Sequence, residues 1–271
     1  MEIRVTGILC VYNEIGNIAL IQNNILRNKF DELIIVDGGS TDGTYEFLSK
    51  IKSINLLVLK EKGLLAQRLF GIEAASNSYV FLFNADDDIS ILDFSSLGNE
   101  FNLLNADGLQ IRTSSNVYNE FWSRAWSEYF SLIYPVHEKM NWLGRPCLTK
   151  KKYFEGISVD QNIFNEDTYL KYEQESRYGK LYYYASEQVV YREMPKGFSN
   201  NVKQFFRYGK SDVIVVKDSW YKFFDLLYHS FIRIFFLRSL RLILRGKLRY
   251  SLFTVVMGLC RGFAFIYYKI F

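Results

Sequence analysis

Four short apolar runs, separated by stretches of helical or turn character and mostly closed by polar residues, constrain this chain more than any other feature. Arg4 to Val11 reads as a first strand, and Ile18, Ile21 and Ile25 recur at helical spacing between Glu14 and Asn28. Leu33 to Val36 is a second run ending in Asp37, after which the loop from Gly38 to Thr44 leads into a predicted helix through Ile51. Leu56 to Leu59, Leu64 to Ala75 and Tyr79 to Phe83 continue as strand, helix and buried strand. This alternation predicts an α/β fold with a mostly parallel sheet flanked by helices.

Ligands of such sheets collect beyond the carboxyl ends of the strands. Those positions are polar here: Tyr12-Asn13-Glu14, then Asp37, then Asn84-Ala85-Asp86-Asp87-Asp88. Three adjacent carboxylates repel one another unless a cation or solvent relieves them. Mg²⁺ held by one or two carboxylates, water and phosphate would do so; the alternative is a solvated loop with Asp88 or Asp93 near a helix start. The loop after Asp37 has no Lys and lacks the dinucleotide fingerprint, so by itself it is a strand-to-helix connection. Glu166 and Asp167, read alone, are partners for a helix N-terminus. His137 and His229 read as surface or packing residues, and Cys10 as a buried, inert thiol inside a strand.

Composition narrows the function classes. The 271 residues are 49% hydrophobic and 23% charged, which excludes a disordered chain. From Trp220 onward the chain carries nine basic residues and one acid, a net of +8, whereas the preceding 219 residues carry −4. A basic aromatic tail suits an anionic membrane surface, and without a basic main domain or a reader motif no nucleic acid partner is expected. Three widely spaced Cys point to a reducing compartment, and the apolar N-terminal run, with Glu2 and Arg4, is read as a strand of an unsecreted protein. Phe224, Leu227, Tyr228, Phe231, Ile234 and Phe235 predict an amphipathic helix lying in the interface. The uncharged stretch from Tyr250 to Cys260 falls short of the roughly 20 residues that span a bilayer. The alternative for the tail is a soluble helical hairpin that caps the main domain or forms an oligomer.

Taken in order, these motifs resemble the family 2 glycosyltransferases of the GT-A fold. The matching stretches are Cys10 to Glu14, Ile34 to Thr44, Lys62 to Arg68, Phe81 to Asp87 and Asn165 to Asp167, with Gln204-Phe205-Phe206-Arg207-Tyr208 similar to a Gln-x-x-Arg-Trp element of some members. The resemblance implies that Tyr12, Asn13, Glu14, Asp37 and Arg68 surround the nucleoside of a nucleotide-sugar donor. It places Asn84 and Asp86 at the two ends of an Asp-x-Asp element, with Asn84 on the donor's sugar or ribose and Mg²⁺ or Mn²⁺ on Asp86, to which Asp88 is added from outside the element, and it makes Asp167, or else Glu166, the catalytic base. Asn84 departs from the pattern by removing a charge.

The implied activity is an inverting, metal-dependent transfer to a hydroxyl of a polyprenol-linked glycan in surface polysaccharide synthesis. A catalytically silent GT-A scaffold that binds a nucleotide sugar or a partner transferase is the alternative. The division so read is a nucleotide-sugar half over 1–105, an acceptor and base half over 106–219, and a basic helical tail over 220–271. The expected location is cytoplasmic, peripheral on the inner face of the plasma membrane.

Overall fold

The computed structural model describes residues 3–28, 30–59, 63–115, 120–159, 163–216 and 219–271. Lys62 of the third matching stretch and Glu2 of the first run lie outside them. Two compact units are formed, one from residues 1–113, 134–162 and 170–192, the other from 114–133, 163–169 and 193–271. The three-part division drawn above follows motif and charge; packing cuts across it, because the chain passes back and forth between the units.

In the first unit β1 (Val5–Val11), β2 (Glu32–Asp37), β3 (Asn55–Val58) and β4 (Tyr79–Phe83) pair in parallel in the order β3-β2-β1-β4. The crossovers carry α1 (Ile18–Arg27), α2 (Thr44–Leu48) and α3 (Leu64–Ala74). Every residue of β1 is buried, as befits a parallel strand covered on both faces. Helix α3 presses closely on this sheet at Gly71, where a Cβ would lie 2.9 Å from Ile8 Cγ2 and 3.0 Å from Val36 Cγ2. Strand order reverses between β1 and β4, the place where sheets of this kind open a crevice at their carboxyl edge.

Parallel pairing stops where the βα alternation stops. The later strands are β5 (Asp87–Asp88), β6 (Gly108–Ser115), β7 (Lys139–Met140), β8 (Cys147–Lys150) and β9 (Tyr183–Arg192). Strand β8 joins β4 antiparallel and extends the sheet to β6, while β5 and β7 pair antiparallel with β9. The sheet is therefore mixed, parallel over its first four strands. Phe81, Phe83, Leu109, Ile111 and Leu148 form its core with Leu97 and Phe101 of α4 (Phe94–Leu103). Asp93 caps that helix, accepting from the Ser95 and Ser96 N–H groups, the helix-start role weighed for it above.

The second unit is helical: α5 (Phe121–Ile133), the first turn of α6 (Glu166–Tyr178), α7 (Gly197–Val215), α8 (Trp220–Leu227), a π-helical segment (Tyr228–Arg238), α9 (Ser239–Leu244) and α10 (Leu248–Ile270). Trp126, Tyr129, Phe205, Ile234, Leu242, Phe253 and Met257 pack into one core. Small residues let the backbones meet. A Cβ on Gly209 of α7 would lie 2.2 Å from the Arg261 carbonyl oxygen, and one on Gly258 2.8 Å from that of Ser230.

The tail's apolar residues do not form the single stripe expected of them. Leu226, Ser230, Ile234, Arg238 and Leu242 are buried, and Phe224, Tyr228, Ile232, Phe236, Leu240 and Leu244 are exposed, each row at four-residue spacing. An α-helical turn is shorter than four residues and a π-helical turn longer, so alternating the two keeps such rows on their faces. Helix α10 outruns the uncharged stretch from Tyr250 to Cys260; by length and composition it could cross a membrane, but half of its apolar window is buried inside the protein.

Candidate active site

The loops after β1 and β2 are laced together by residues of the matching motifs. Asn13, at φ 57°, takes a left-handed conformation that Asn tolerates. Its N–H donates to Ser40 Oγ at 2.9 Å and its Oδ1 accepts from the Thr41 N–H at 2.8 Å. The Glu14 N–H donates to Thr44 Oγ1 and the Ile15 N–H to Asp42 Oδ2. Asn13 and Glu14, expected around the nucleoside, are engaged in building the loop, and Tyr12 stands beside it half exposed.

Asp37 closes β2 and is 1% exposed. Gly39, at φ 86°, turns the chain so that its own N–H and that of Ser40 both donate to Asp37 Oδ1 at 2.8 Å. Asp37 Oδ2 is buried and finds no hydrogen-bond partner among the described residues. A buried acceptor in that state carries a desolvation penalty of about 1–3 kcal/mol that a donor would relieve. Gly38 has no space for a side chain, since a Cβ would meet Gln67 Nε2 at 2.2 Å and Tyr12 Cδ2 at 3.4 Å.

At the carboxyl end of β4 the three adjacent aspartates are not equivalent. Asp87 is fully buried; its Oδ1 lies 2.6 Å from Arg192 Nη2 and 2.7 Å from Arg192 Nε, and its Oδ2 accepts from the Asn84 N–H. Burial pushes the Asp87 carboxyl up, against the pull of Arg192, to about 6, and the charge of Asp86 adds to the rise. Arg192 is itself held above its ordinary value, its burial outweighed by Asp87 and Asp86. Asn24 of α1 fixes the turn, donating to the Asp87 carbonyl and accepting from the Ile89 N–H. Asp88 Oδ1 accepts from the Ser90 N–H and Oγ. Asp86 points outward, its side chain 43% exposed and 3.5 Å from Arg192 Nε. Arg68, fully buried on α3, donates from Nη2 to Asn84 Oδ1 at 3.0 Å.

A divalent cation fits this donor set in a restricted way. Among the described residues no three His, Cys, Asp or Glu gather into a ligand cluster, so the chain offers Asp86 and leaves most of a shell to water and phosphate, as Mg²⁺ sites do. Negative charge is in excess nearby: Glu14 is raised by its burial, against a hydrogen bond from Asn17, and further by Asp86 and Asp42. A cation would relieve that excess.

Glu166 and Asp167 belong to the second unit and open α6, Glu166 buried and Asp167 half-buried. Asn165, just before them, donates from its N–H to Ser211 Oγ and from Nδ2 to Thr168 Oγ1 and Asp212 Oδ1. Beside this turn lie the rings of Phe164 and Tyr208, with centroids 5.6 Å apart, while Gln204 donates to the Tyr208 hydroxyl and the Arg207 guanidinium lies 5.9 Å from the Phe164 ring. The Gln-x-x-Arg-Tyr element is thus a neighbour of the carboxylate pair. Arg192 escaped the sequence reading, because it stands at the end of an aromatic strand with no motif around it. Cys10 is buried as expected, and His137 is a surface residue 3.0 Å from Glu100 Oε1.

Comparison with known proteins agrees with this fold. A curated relative, the cholesterol galactosyltransferase of Borreliella burgdorferi, is 30% identical over 112 residues, which is 38% of this chain and 31% of the relative. The chain thus spans about a third of that protein's length. The solved structure of S. aureus TarS residues 1–349 with UDP superposes with a TM-score of 0.55 at 12% identity, covering 98% of this chain and 92% of that one. The same fragment with UDP-GlcNAc gives 0.53 at 13%, covering 98% and 90%. At such identity the likeness is one of fold, the GT-A fold. The model of glycosyl transferase family 2 matches residues 7–160, more than half of the chain, and the protein belongs to that family.

Proposed function

We propose that this chain is an inverting glycosyltransferase that moves a sugar from a nucleoside diphosphate to a hydroxyl of a lipid-linked glycan, in surface polysaccharide synthesis. The observation that carries the reading is Asp37: a carboxylate oxygen with no donor among the described residues, at the carboxyl edge of the parallel strands, followed by Gly38, against which the exposed ring of Tyr12 lies. A base N–H or ribose O–H supplies the missing donor, and the ring gives the base a surface to stack on. The UDP and UDP-GlcNAc complexes of TarS support uridine as the nucleoside. The galactosyltransferase relative, named for a lipid alcohol, supports a lipid acceptor.

In this reading Asp167 accepts the proton of the acceptor hydroxyl as the new glycosidic bond forms and the bond to the diphosphate breaks, a single displacement that inverts the anomeric carbon. Glu166 is the second carboxylate of the pair. Arg68 orients Asn84, and Asp86 is the residue that would hold Mg²⁺ or Mn²⁺, with Asp88 less available because Ser90 engages its Oδ1. Such a cation, when bound, supplies positive charge for the leaving diphosphate.

The tail supports attachment to the inner face of the plasma membrane. Its exposed row from Phe224 to Leu244 lies among Lys222, Arg233, Arg241, Arg245 and Lys247, the pairing of apolar surface and positive charge that binds anionic lipid.

One observation favours a second reading. Asn84 is neutral and accepts from Arg68, which suits a scaffold that binds a nucleotide sugar without turning it over. A panel of UDP-N-acetylglucosamine, UDP-galactose and UDP-glucose, assayed with and without Mn²⁺ for protection against heating and for release of UDP to polyprenol-linked acceptors, decides between the two. Acceptor-dependent UDP release supports the transferase; tight binding with no release on any acceptor supports the scaffold.

A further inference from the structure

The buried pair Asp212–Arg261 lies outside every motif that carries the family resemblance. Asp212 of α7 is fully buried and Arg261 of α10 is 6% exposed. The guanidinium grips the carboxylate with two bonds, Nε to Oδ2 at 2.7 Å and Nη2 to Oδ1 at 3.0 Å. Burial works against the charge of Arg261, yet Asp212 holds its pKa above the ordinary value. As a stabilising device such a pair is poor, since well-packed apolar residues of similar volume commonly do as well or better. Its geometry offers another use. Asp212 Oδ1 also accepts from Asn165 Nδ2 at 2.8 Å, and the neighbouring Ser211 Oγ accepts from the Asn165 N–H at 2.9 Å. Asn165 immediately precedes Glu166 and Asp167. Gly209, one turn earlier on α7, lets α10 approach closely enough for Arg261 to reach in.

We propose that Arg261 and Asp212 are positioning residues for the transfer: the C-terminal helix, through Arg261, aims the Asp212 carboxylate at Asn165 and so fixes the turn that presents Asp167. This rests on Asp167 being the base. Residues of the tail would then serve catalysis as well as any membrane contact, and a misplacement of the base by about 1 Å is enough to cost on the order of 10²-fold in rate.

The test compares two double variants of the full chain that both remove the charge pair. Asp212→Leu/Arg261→Met also removes the acceptor for Asn165, whereas Asp212→Asn/Arg261→Met keeps an oxygen there. Hydrogen exchange of the peptide covering 164–170 needs no substrate, and should be faster in the Leu variant than in wild type, with the Asn variant between them. Release of UDP from the best-bound of the three UDP-sugars, with water as acceptor, should fall by about 10²-fold in the Leu variant at unchanged donor KM, with partial recovery in the Asn variant. Equal exchange at 164–170 in wild type and a folded Leu variant overturns the proposal, as does wild-type turnover in that variant. If the Leu variant does not fold, Asn165→Ala replaces it, and unchanged exchange at 166–169 there is equally fatal. Asp167→Asn, run in parallel, separates the two ideas: retained turnover in it refutes the base, while altered exchange in the Leu variant still reports the hold on the turn.

Discussion

Arg192 closes a fork on Asp87, with Nη2 and Nε 2.6 and 2.7 Å from the same buried oxygen. It thereby turns the middle aspartate of an acidic run into part of the interior and leaves Asp86 outside. Replacing Arg192 by Met would strand a buried carboxylate, a change that costs about 3–5 kcal/mol. Urea denaturation should show that loss in Arg192→Met and a smaller one in Arg192→Met/Asp87→Asn, where no charge is left unpaired. Equal midpoints for wild type and Arg192→Met would show that the pair does not hold this turn.

Asp37→Asn separates building the loop from binding a ligand. The amide oxygen can still accept from the Gly39 and Ser40 N–H groups, so the loop should form and the melting temperature should hold. An NH₂ group in place of Oδ2 cannot accept a donor, and a hydrogen bond to a charged group is worth about 1.5–3 kcal/mol. UDP affinity by calorimetry should therefore fall by about 10- to 150-fold. Unchanged UDP affinity would place the nucleoside elsewhere.

The outward and capped aspartates should differ in their response to metal. Asp86→Ala is expected to abolish the Mn²⁺-dependent part of UDP binding. Asp88→Ala should leave most of it, because Asp88 is engaged with Ser90. Mn²⁺ dependence that survives in Asp86→Ala would remove this residue from the cation's shell.

What the sequence made legible follows from range. The strands β1 to β4 and their polar ends were readable because each is a local pattern, and so was the Asp37 loop with its glycines. The antiparallel half was not, since β8 and β9 reach their neighbours across long separations and carry no alternating pattern that singles out a partner. Arg192 and Asp212 were invisible for the same reason, as the first meets Asp87 across 105 residues and the second meets Arg261 across 49. The tail misled through its period: a π-helical segment shifts the rows, so Ile234 entered the core while Phe224 and Tyr228 stayed outside.

Membrane attachment is best tested on that outer row. Removing 220–271 would also remove Ile234, Leu242, Phe253 and Met257 from the second core, so truncation confounds binding with unfolding. Phe224→Ser, Phe236→Ser and Leu244→Ser combined should leave the melting temperature within a few degrees, because these side chains are exposed. Sedimentation with vesicles containing phosphatidylglycerol should fall by about 10-fold or more, given roughly 25 cal/mol per Å² of apolar area kept from water. Binding equal to wild type would point to an outer row that faces solvent or another copy of the chain.

The carboxylate pair yields the sharpest kinetic test. Asp167→Asn keeps the size and much of the hydrogen bonding of the side chain at the start of α6 while removing the basic oxygen that takes the acceptor's proton. Donor affinity should be retained, because the residues assigned to the nucleoside are in the first unit and Asp167 is in the second. Turnover should drop by about 10²- to 10⁴-fold, appearing in kcat rather than in the donor KM. Glu166→Gln is the matched control; Glu166 is buried where Asp167 is half-buried, so this change should perturb stability more and the chemistry less. A large loss in Glu166→Gln with near wild-type turnover in Asp167→Asn would reverse the two roles, and full activity in both would move the base to another residue.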